Sequence, residues 1–311
     1  MNKKLIAALI AITLAVPTTA QAAGLKNRTD SKPAVAILDT GIDTSLPAFQ
    51  GKIVQEVCIL EWTTCPNGQS FMEGPGAASM PAAFITKNGF DHGTLMADQA
   101  IQTNPNVNIV FIRIIGQREN GAREYTTEAT VFNALQWVAD NQAKFNIQSV
   151  AMAQGSHYLG AEGTDYCPKT PTTVAKVKAL NSMNVGVFFP AGNNRDYQRI
   201  DWPACIPETI AVGATMPDNS VASYSNHDAL LVDFHARGTT VLYGLDAKKT
   251  NFAGSSASVL VGATSWATVK AAKSQLGYTD LYNLLLKTST PTKNSKIAKA
   301  NLINLQAALN G

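Results

Sequence analysis

Short apolar runs alternate along the chain with segments that have helical spacing. Two segments, 127–141 and 171–183, repeat apolar residues every three or four positions, and Pro171 suits the first turn of a helix. The apolar runs cover 34–38, 109–115, 149–153, 185–189 and 209–215. Such runs are typical of parallel strands buried on both faces. The alternation predicts an α/β fold with right-handed crossovers and a parallel sheet covered by helices.

The amino-terminal residues have the pattern of a secretory signal. Lys3 and Lys4 precede an apolar run over 5–16, and Ala20-Gln21-Ala22 offers a small-x-small cleavage site. The alternative, a transmembrane anchor, is disfavoured because the run is short. No cysteine lies directly after the run, which disfavours a lipoprotein anchor. We therefore expect residues 1–22 to be a signal peptide, without a membrane anchor and with a periplasmic or secreted destination.

The remaining residues, 23–311, suit one large α/β domain or two small ones. No shift in composition marks a boundary, so we expect a single domain. The polar stretch 288–295 leads into a predicted final helix over 297–309, and 74–83 is expected to be an irregular loop. After removal of Lys3 and Lys4, acidic and basic residues nearly balance. This balance gives no electrostatic reason to expect nucleic acid as a partner.

The chain has four cysteines: Cys58, Cys65, Cys167 and Cys205. An even number after an export signal favours disulfides, whereas no Cys-x-x-Cys spacing supports a metal site. Cys58 with Cys65 and Cys167 with Cys205 is the favoured pairing among three possible connectivities. One bridge with two free thiols stays open as an alternative.

Four polar residues occur at positions where chemistry is found in open α/β sheets. Asp39 directly follows the first predicted strand, and Asn193 closely follows the strand over 185–189. His92 and Ser256 each begin a predicted helix. An acid, a base, an amide donor and a hydroxyl are the groups needed for acyl transfer. Each residue alone also has an ordinary structural reading, as a loop acid, surface histidine, turn asparagine or helix cap.

The local motifs make the set more specific. Asp39-Thr40-Gly41, His92-Gly93-Thr94, Gly192-Asn193 and Gly254-Ser255-Ser256 follow one another in the order found in subtilisin-like (subtilase) serine proteases. The chain resembles that family over most of residues 34–270. The resemblance implies a three-layer αβα sandwich with a mainly parallel central sheet, and serine endopeptidase activity.

The resemblance also implies roles for single residues. Ser256, third in the family's Gly-Thr-Ser-Met-Ala block, would be the nucleophile, with Ser255 and Ser258 as neighbouring alternatives. His92 would be the general base and then the general acid, and Asp39 would orient it. Asn193 would donate its side-chain amide to the oxyanion, with Asn194 as the nearest alternative.

A fifth segment resembles the part of the family that binds extended substrate. Residues 151–155 correspond to the family's Asn-Met-Ser-Leu-Gly, so Ala153, Gln154 and Gly155 would form one wall of the specificity pocket. Ala191 and Gly192 would lie in the opposite wall. Gln154 stands where the family has Leu, so the family's specificity does not transfer to this chain.

Two departures from the family concern folding and cofactors. Only residues 23–38 separate the predicted cleavage site from Asp39, too few for the usual propeptide, so either the chain folds unaided or a separate inhibitor or folding helper serves. The stretch 100–108 is too short for the family's longer calcium loop. We expect no calcium there, although a structural calcium elsewhere stays possible, and no cofactor or metal for catalysis.

These patterns together predict an exported serine endopeptidase that hydrolyses peptide bonds in a protein or peptide substrate. One alternative is a catalytically inactive, peptide-binding module on the same scaffold. The other is a ligase or transpeptidase that uses the same acyl-enzyme.

Overall fold

A ten-stranded sheet forms the centre of the computed structural model. The structure describes residues 32–80, 89–124, 126–158, 167, 170–244, 248–293 and 300–311, and Lys32–Gly311 clusters as one compact unit. The predicted signal peptide lies outside the described residues. Ten strands form this sheet, and two more, β9 and β10, pair apart from it. In chain order the strands are β1 (Ala34–Asp39), β2 (Ile53–Ile59), β3 (Phe71–Glu73), β4 (Asn108–Arg113), β5 (Ile147–Met152), β6 (Gly186–Pro190), β7 (Ile210–Thr215), β8 (Val232–Arg237), β9 (Thr239–Tyr243), β10 (Lys249–Ala253), β11 (Thr290–Pro291) and β12 (Asn301–Leu302).

The sheet has the order β11-β12-β8-β7-β6-β5-β1-β4-β2-β3. Its two edge pairs, β2 with β3 and β11 with β12, are antiparallel, and all other pairs are parallel. Strands β9 and β10 form a separate antiparallel hairpin. The sheet is therefore mainly parallel, as the sequence predicts.

Helices cover both faces of the sheet. They are α1 (His92–Thr103), α2 (Glu128–Phe145), α3 (Pro171–Ser182), α4 (Ser255–Ala272), α5 (Tyr278–Thr288) and α6 (Leu305–Asn310). In β1, Ala34, Ala36 and Leu38 pack into the core shared with α2 and α3, while Val35 and Ile37 pack into the core shared with α1 and α4. Because successive strand residues point to opposite faces, a strand apolar throughout is buried on both sides. The three-layer αβα prediction is confirmed.

Helix starts and ends follow local chemistry. The side chain of Thr127 accepts a hydrogen bond from the Thr130 backbone N–H and caps α2, which ends where Asn146 takes a left-handed conformation. Pro171 occupies the first turn of α3, where its missing N–H costs no intrahelical hydrogen bond. The amphipathic patterns in 127–141 and 171–183 therefore become helices close to the predicted bounds.

Other elements differ from the sequence prediction. The final helix begins only at Leu305, because Asn301–Leu302 forms strand β12 before it, between β8 and β11, and 294–299 lies outside the described residues. The sequence does not predict strands β2, β3 and β8 to β12 or helix α5. Within the described residues, no helix is long and apolar enough to cross a membrane.

Two disulfides connect the four cysteines in the favoured pairing. Cys58 bonds to Cys65 across a separation of 7 residues, and Cys167 bonds to Cys205 across 38 residues. The second bridge therefore links the chain before α3 to the segment that follows Asn193.

Candidate active site

The candidate site lies at the carboxyl ends of three adjacent strands in the middle of the sheet, and we call this side of the sheet its carboxyl edge. Asp39 is the last residue of β1, residues 153–155 follow β5, and residues 191–193 follow β6. The strands are neighbours in the order β6-β5-β1 and run parallel. Asp39 and the segments 153–155 and 191–193, which are far apart in the chain, are therefore brought together at the carboxyl end of one sheet.

Asp39 and His92 form a hydrogen-bonded pair. His92 Nδ1 lies 2.8 Å from Asp39 Oδ1 and 3.0 Å from Oδ2. Thr40 supports the pair: its backbone N–H donates to Asp39 Oδ1 at 2.7 Å, and its hydroxyl accepts the Gly93 N–H at 2.9 Å. Thr40 thus connects the end of β1 to the start of α1, which fixes the position of His92 relative to Asp39.

The electrostatics of Asp39 favour the carboxylate. Its complete burial opposes ionisation, but the adjacent His92 imidazole and the Thr40 N–H outweigh the burial and hold the pKa of Asp39 below its ordinary value. A buried acid next to a partly exposed imidazole can stabilise the cationic form of that ring.

The side chain of Gln154 joins this pair, a contact that sequence reasoning missed. Its Nε2 lies 3.2 Å from Asp39 Oδ1 and 3.1 Å from His92 Nδ1. The Arg123 guanidinium donates to Gln154 Oε1 at 2.7 Å. The sequence placed Gln154 in the substrate segment, and its replacement of the family's Leu was the available signal of an added polar role.

Ser256 lies at the start of α4 beside residue 153. Its hydroxyl donates to the carbonyl of Ala153 at 3.0 Å, and Ala153 in turn donates its N–H to Leu38, next to Asp39. Among the contacts of the described residues, no hydrogen bond joins Ser256 to His92. Helices α1 and α4 pack against each other, and His92 and Ser256 each lie in the first turn of one of these helices.

The two neighbouring serines have other partners. Ser255 Oγ accepts the Gly192 N–H at 3.2 Å, and Ser258 Oγ donates to the carbonyl of Ala236 at 3.0 Å. Both are fully buried, whereas Ser256 keeps 8% of its surface exposed. The three serines therefore differ in both hydrogen-bond partner and exposure.

Asn193 also lies at the start of α4. Its Oδ1 accepts the Ser255 N–H at 2.8 Å, which orients Nδ2 away from that N–H as a donor. The first N–H groups of a helix lack intrahelical acceptors, so Ser256 adds a backbone donor nearby. The next residue, Asn194, is directed elsewhere: its backbone N–H and its Oδ1 both contact Asn226.

A polar cluster that the sequence did not reveal lies behind Gly192. Asp201 Oδ1 accepts hydrogen bonds from Asn226 Nδ2 at 2.9 Å and from His157 Nδ1 at 2.9 Å. Burial raises the pKa of Asp201 to about 6, despite the opposing effect of His157. A Cβ on Gly192 would come within 2.4 Å of the Asp201 carboxyl, so only glycine fits there. Residues 157, 201 and 226 are far apart in sequence, and no short motif contains them.

The structure also bears on metal binding. Within the described residues, no group of three or more His, Cys, Asp or Glu side chains is placed to hold a metal ion.

Comparison with known proteins identifies the class of protein that this fold and site define. A profile of the Subtilase family matches residues 30–302, and the chain belongs to this family. Subtilisin BL of Lederbergia lenta is 26% identical over 309 residues, which cover 93% of this chain and 95% of that protein. An alkaline protease of Alkalihalobacillus alcalophilus is also 26% identical, over 93% of this chain and 67% of that protein.

Solved structures have the same fold. A protease of Pseudoalteromonas arctica superposes with a TM-score of 0.72 at 17% identity, over 91% of this chain and 90% of that one. A cold-adapted subtilisin-like serine proteinase has a TM-score of 0.64 at 20% identity, over 88% of each chain. The family membership makes this chain a serine-type endopeptidase, a hydrolase that acts on a protein or peptide substrate.

Proposed function

We propose that the chain is an exported serine endopeptidase that cleaves peptide bonds through an acyl-enzyme on Ser256. The supporting observation is the convergence of four groups at one sheet edge: the bonded pair Asp39 and His92, the Ser256 hydroxyl, and the Asn193 amide. No cofactor or metal takes part in this chemistry.

The first half-reaction forms the acyl-enzyme. The Ser256 hydroxyl turns from Ala153 to His92, whose Nε2 takes the proton as Oγ bonds to the substrate carbonyl carbon. The carbonyl oxygen becomes an anion and accepts hydrogen bonds from Asn193 Nδ2 and the Ser256 N–H. The carbon–nitrogen bond then breaks, and His92 gives its proton to the leaving amine.

The second half-reaction releases the product. A water molecule gives a proton to His92 as its oxygen bonds to the ester carbon, and the ester bond to Oγ breaks as His92 returns the proton to Ser256. Asp39 stays ionised throughout and stabilises the His92 imidazolium that forms in each of the two half-reactions. Gln154, held by Arg123, supplies an additional N–H next to the Asp39 carboxylate.

The substrate lies in this proposal between two short segments. Ala153, Gln154 and Gly155 form one wall and Ala191 with Gly192 the other, so that the scissile carbonyl meets Ser256. An extended peptide pairs with backbone groups of such walls, while the space between them selects one side chain. A cleavable signal over 1–22 would deliver the enzyme to the periplasm or medium.

The test is peptide hydrolysis by three variants. Ser256→Ala, His92→Ala and Asp39→Ala should each lower kcat by about 10⁴-fold or more with KM little changed, because these groups act together. Ser258→Thr and His227→Gln, which change a serine and a histidine outside the set, are the controls. Unchanged hydrolysis by Ser256→Ala would overturn the proposal.

Product analysis separates the alternatives. A hydrolase releases the leaving amine and gives the acyl half of the substrate mainly as a free acid, whereas a transpeptidase converts the acyl half mainly to an amide when an amine such as glycinamide is added. A folded wild type that binds peptide without either product would support the inactive module.

A further inference from the structure

Asp201 lies in a segment that connects the two proposed substrate walls. Its N–H donates to the carbonyl of Ala191 at 2.9 Å, which ties it to one wall. The next residue, Trp202, exchanges two backbone hydrogen bonds of 2.9 Å with Ser156, directly after Gly155 in the other wall. Residues 201–202 therefore bridge both walls.

The side chain of Asp201 faces the two glycines of those walls. A Cβ on Gly155 would lie 3.1 Å from Asp201 Cβ and 3.3 Å from its Oδ2. A Cβ on Gly192 would lie 2.4 Å from its Cγ. The carboxyl thus packs against the backbone of both walls, at positions where neither wall has a side chain of its own.

The charge of this carboxyl has no permanent cation beside it among the described residues. Among the described residues, the carboxyl accepts two side-chain hydrogen bonds, from His157 and from Asn226. Both are accepted by Oδ1. The nearby Arg199 donates its Nε to Asp196 at 2.9 Å. Oδ2 therefore has no hydrogen-bond donor among the described residues, and Asp201 is only 8% exposed, which strengthens any charge pair formed there.

The spacing from the nucleophile fits a long side chain. The Ser256 hydroxyl contacts residue 153, whereas Asp201 lies against residue 155. Two residues of extended backbone span about 7 Å. A lysine or arginine side chain that starts next to the attacked carbonyl covers such a distance and carries its charge at the far end.

We propose that Asp201 forms the floor of the subsite for the residue that contributes the scissile carbonyl, and that it selects arginine or lysine there. The inference rests on the proposed function, because it takes the two walls as the substrate site. A neutral side chain would leave the negative charge of the buried carboxylate uncompensated, whereas a guanidinium or ammonium supplies the opposite charge.

The test compares peptides that differ only at this residue, arginine against its neutral isostere citrulline. At pH 8, above the pKa of about 6 that burial gives Asp201, the carboxylate is ionised. Wild type should show kcat/KM about 100-fold higher for the arginine peptide. Asp201→Asn should reduce that ratio to within about fivefold of one, because activity on the arginine peptide falls much further than activity on the citrulline peptide. Asp201→Glu, which restores the charge, should recover part of the preference.

The control and the contrary outcomes are distinct. Asp196→Asn removes the neighbouring carboxylate and should leave the preference for arginine in place. Equal losses on both peptides in Asp201→Asn would assign Asp201 a merely structural role, and a wild type without preference would overturn the inference.

A binding readout separates this inference from the proposed chemistry. In Ser256→Ala, fluorescence anisotropy should show the arginine peptide binding at least tenfold more tightly than the citrulline peptide, and the added Asp201→Asn change should remove the difference. If no peptide is hydrolysed by the wild type but this binding difference persists, the proposed reaction fails while the subsite stands. Equal binding of both peptides would contradict the subsite itself.

Discussion

Asn193 and Asn194 are adjacent in the chain but have different partners. Asn193 accepts the Ser255 N–H at the start of α4, and Asn194 contacts Asn226 away from the nucleophile. We expect Asn193→Ala to lower kcat by about 10²–10³-fold, which is the known effect of losing the oxyanion-hole asparagine in a subtilisin. KM should change little, because the donor acts on the oxyanion rather than on the bound substrate.

Asn194→Ala is the matched control for this prediction. It should retain kcat within about threefold, measured with the same peptide at saturating concentration. Equal effects of the two substitutions would indicate that the loop as a whole, and not the Asn193 amide, determines turnover.

Single residues of the site differ in how far the sequence could predict them. Asp39, His92 and Ser256 lie in short motifs at strand ends or helix starts, so local sequence alone was sufficient to propose them. The side-chain contacts of Gln154 and the place of Asp201 depend on segments 25 to 115 residues away in the chain. No local pattern encodes such pairs, because they exist only after the sheet has assembled.

At the scale of elements, the two disulfides close loops of very different length. Cys58 and Cys65 are 7 residues apart, and Cys167 and Cys205 are 38 apart. On the loop-entropy account, removing the longer bridge costs about 4 kcal/mol of unfolding free energy and removing the shorter one about 2 kcal/mol. Urea unfolding of Cys167→Ala/Cys205→Ala and Cys58→Ala/Cys65→Ala measures both. The reverse order of stability would contradict the account.

Strand β8 contains a buried histidine that should make folding sensitive to acid. His235 is fully buried, and neither ring nitrogen has a hydrogen-bond partner in the described part of the chain. Burial, together with the neighbouring His227, lowers the pKa of His235 to about 3. Below the ordinary histidine pKa of about 6.5, the unfolded chain binds a proton that the folded chain does not, so stability falls as the pH falls.

This effect can be measured by urea unfolding at pH 7 and pH 5. We expect His235 to contribute a loss of about 2 kcal/mol over this interval. The raised pKa of Asp233, about 6, acts in the opposite direction, so the wild-type change alone is not diagnostic. In His235→Phe the loss between the two pH values should be smaller by that amount, whatever its stability at pH 7. If wild type and His235→Phe had the same pH dependence, His235 would take up its proton at pH 5 in the folded chain as well as in the unfolded chain, which would contradict the prediction.

The sequence predicts an element well when its apolar residues form a clear pattern, either on both faces of a strand or along one side of a helix. Strands β1, β4, β5, β6 and β7 are apolar on both faces and stand out as runs, and α2 and α3 show a helical stripe. By contrast, β9 and β10 form a hairpin with mostly exposed or half-exposed residues. Such strands depend on pairing with each other rather than on an apolar pattern, which is why the sequence alone did not predict them.

At the scale of the whole molecule, the sheet is what assembles the site. Asp39, Ala153 and Asn193 come from three neighbouring strand ends, and His92 and Ser256 come from two helices that pack together against the same sheet. The proposed reaction requires these distant parts to act on one serine. Its central claim is therefore that Ser256, and no other serine, becomes nucleophilic in the folded chain.

The most direct test of that claim is labelling of the folded protein with a fluorophosphonate, followed by intact mass and peptide mapping. The wild type should gain one phosphonyl group on Ser256, and His92→Ala should be labelled far more slowly. Ser256→Ala, with an unchanged melting temperature, should gain none. Labelling that persists in Ser256→Ala, or a folded wild type that is not labelled, would contradict the account.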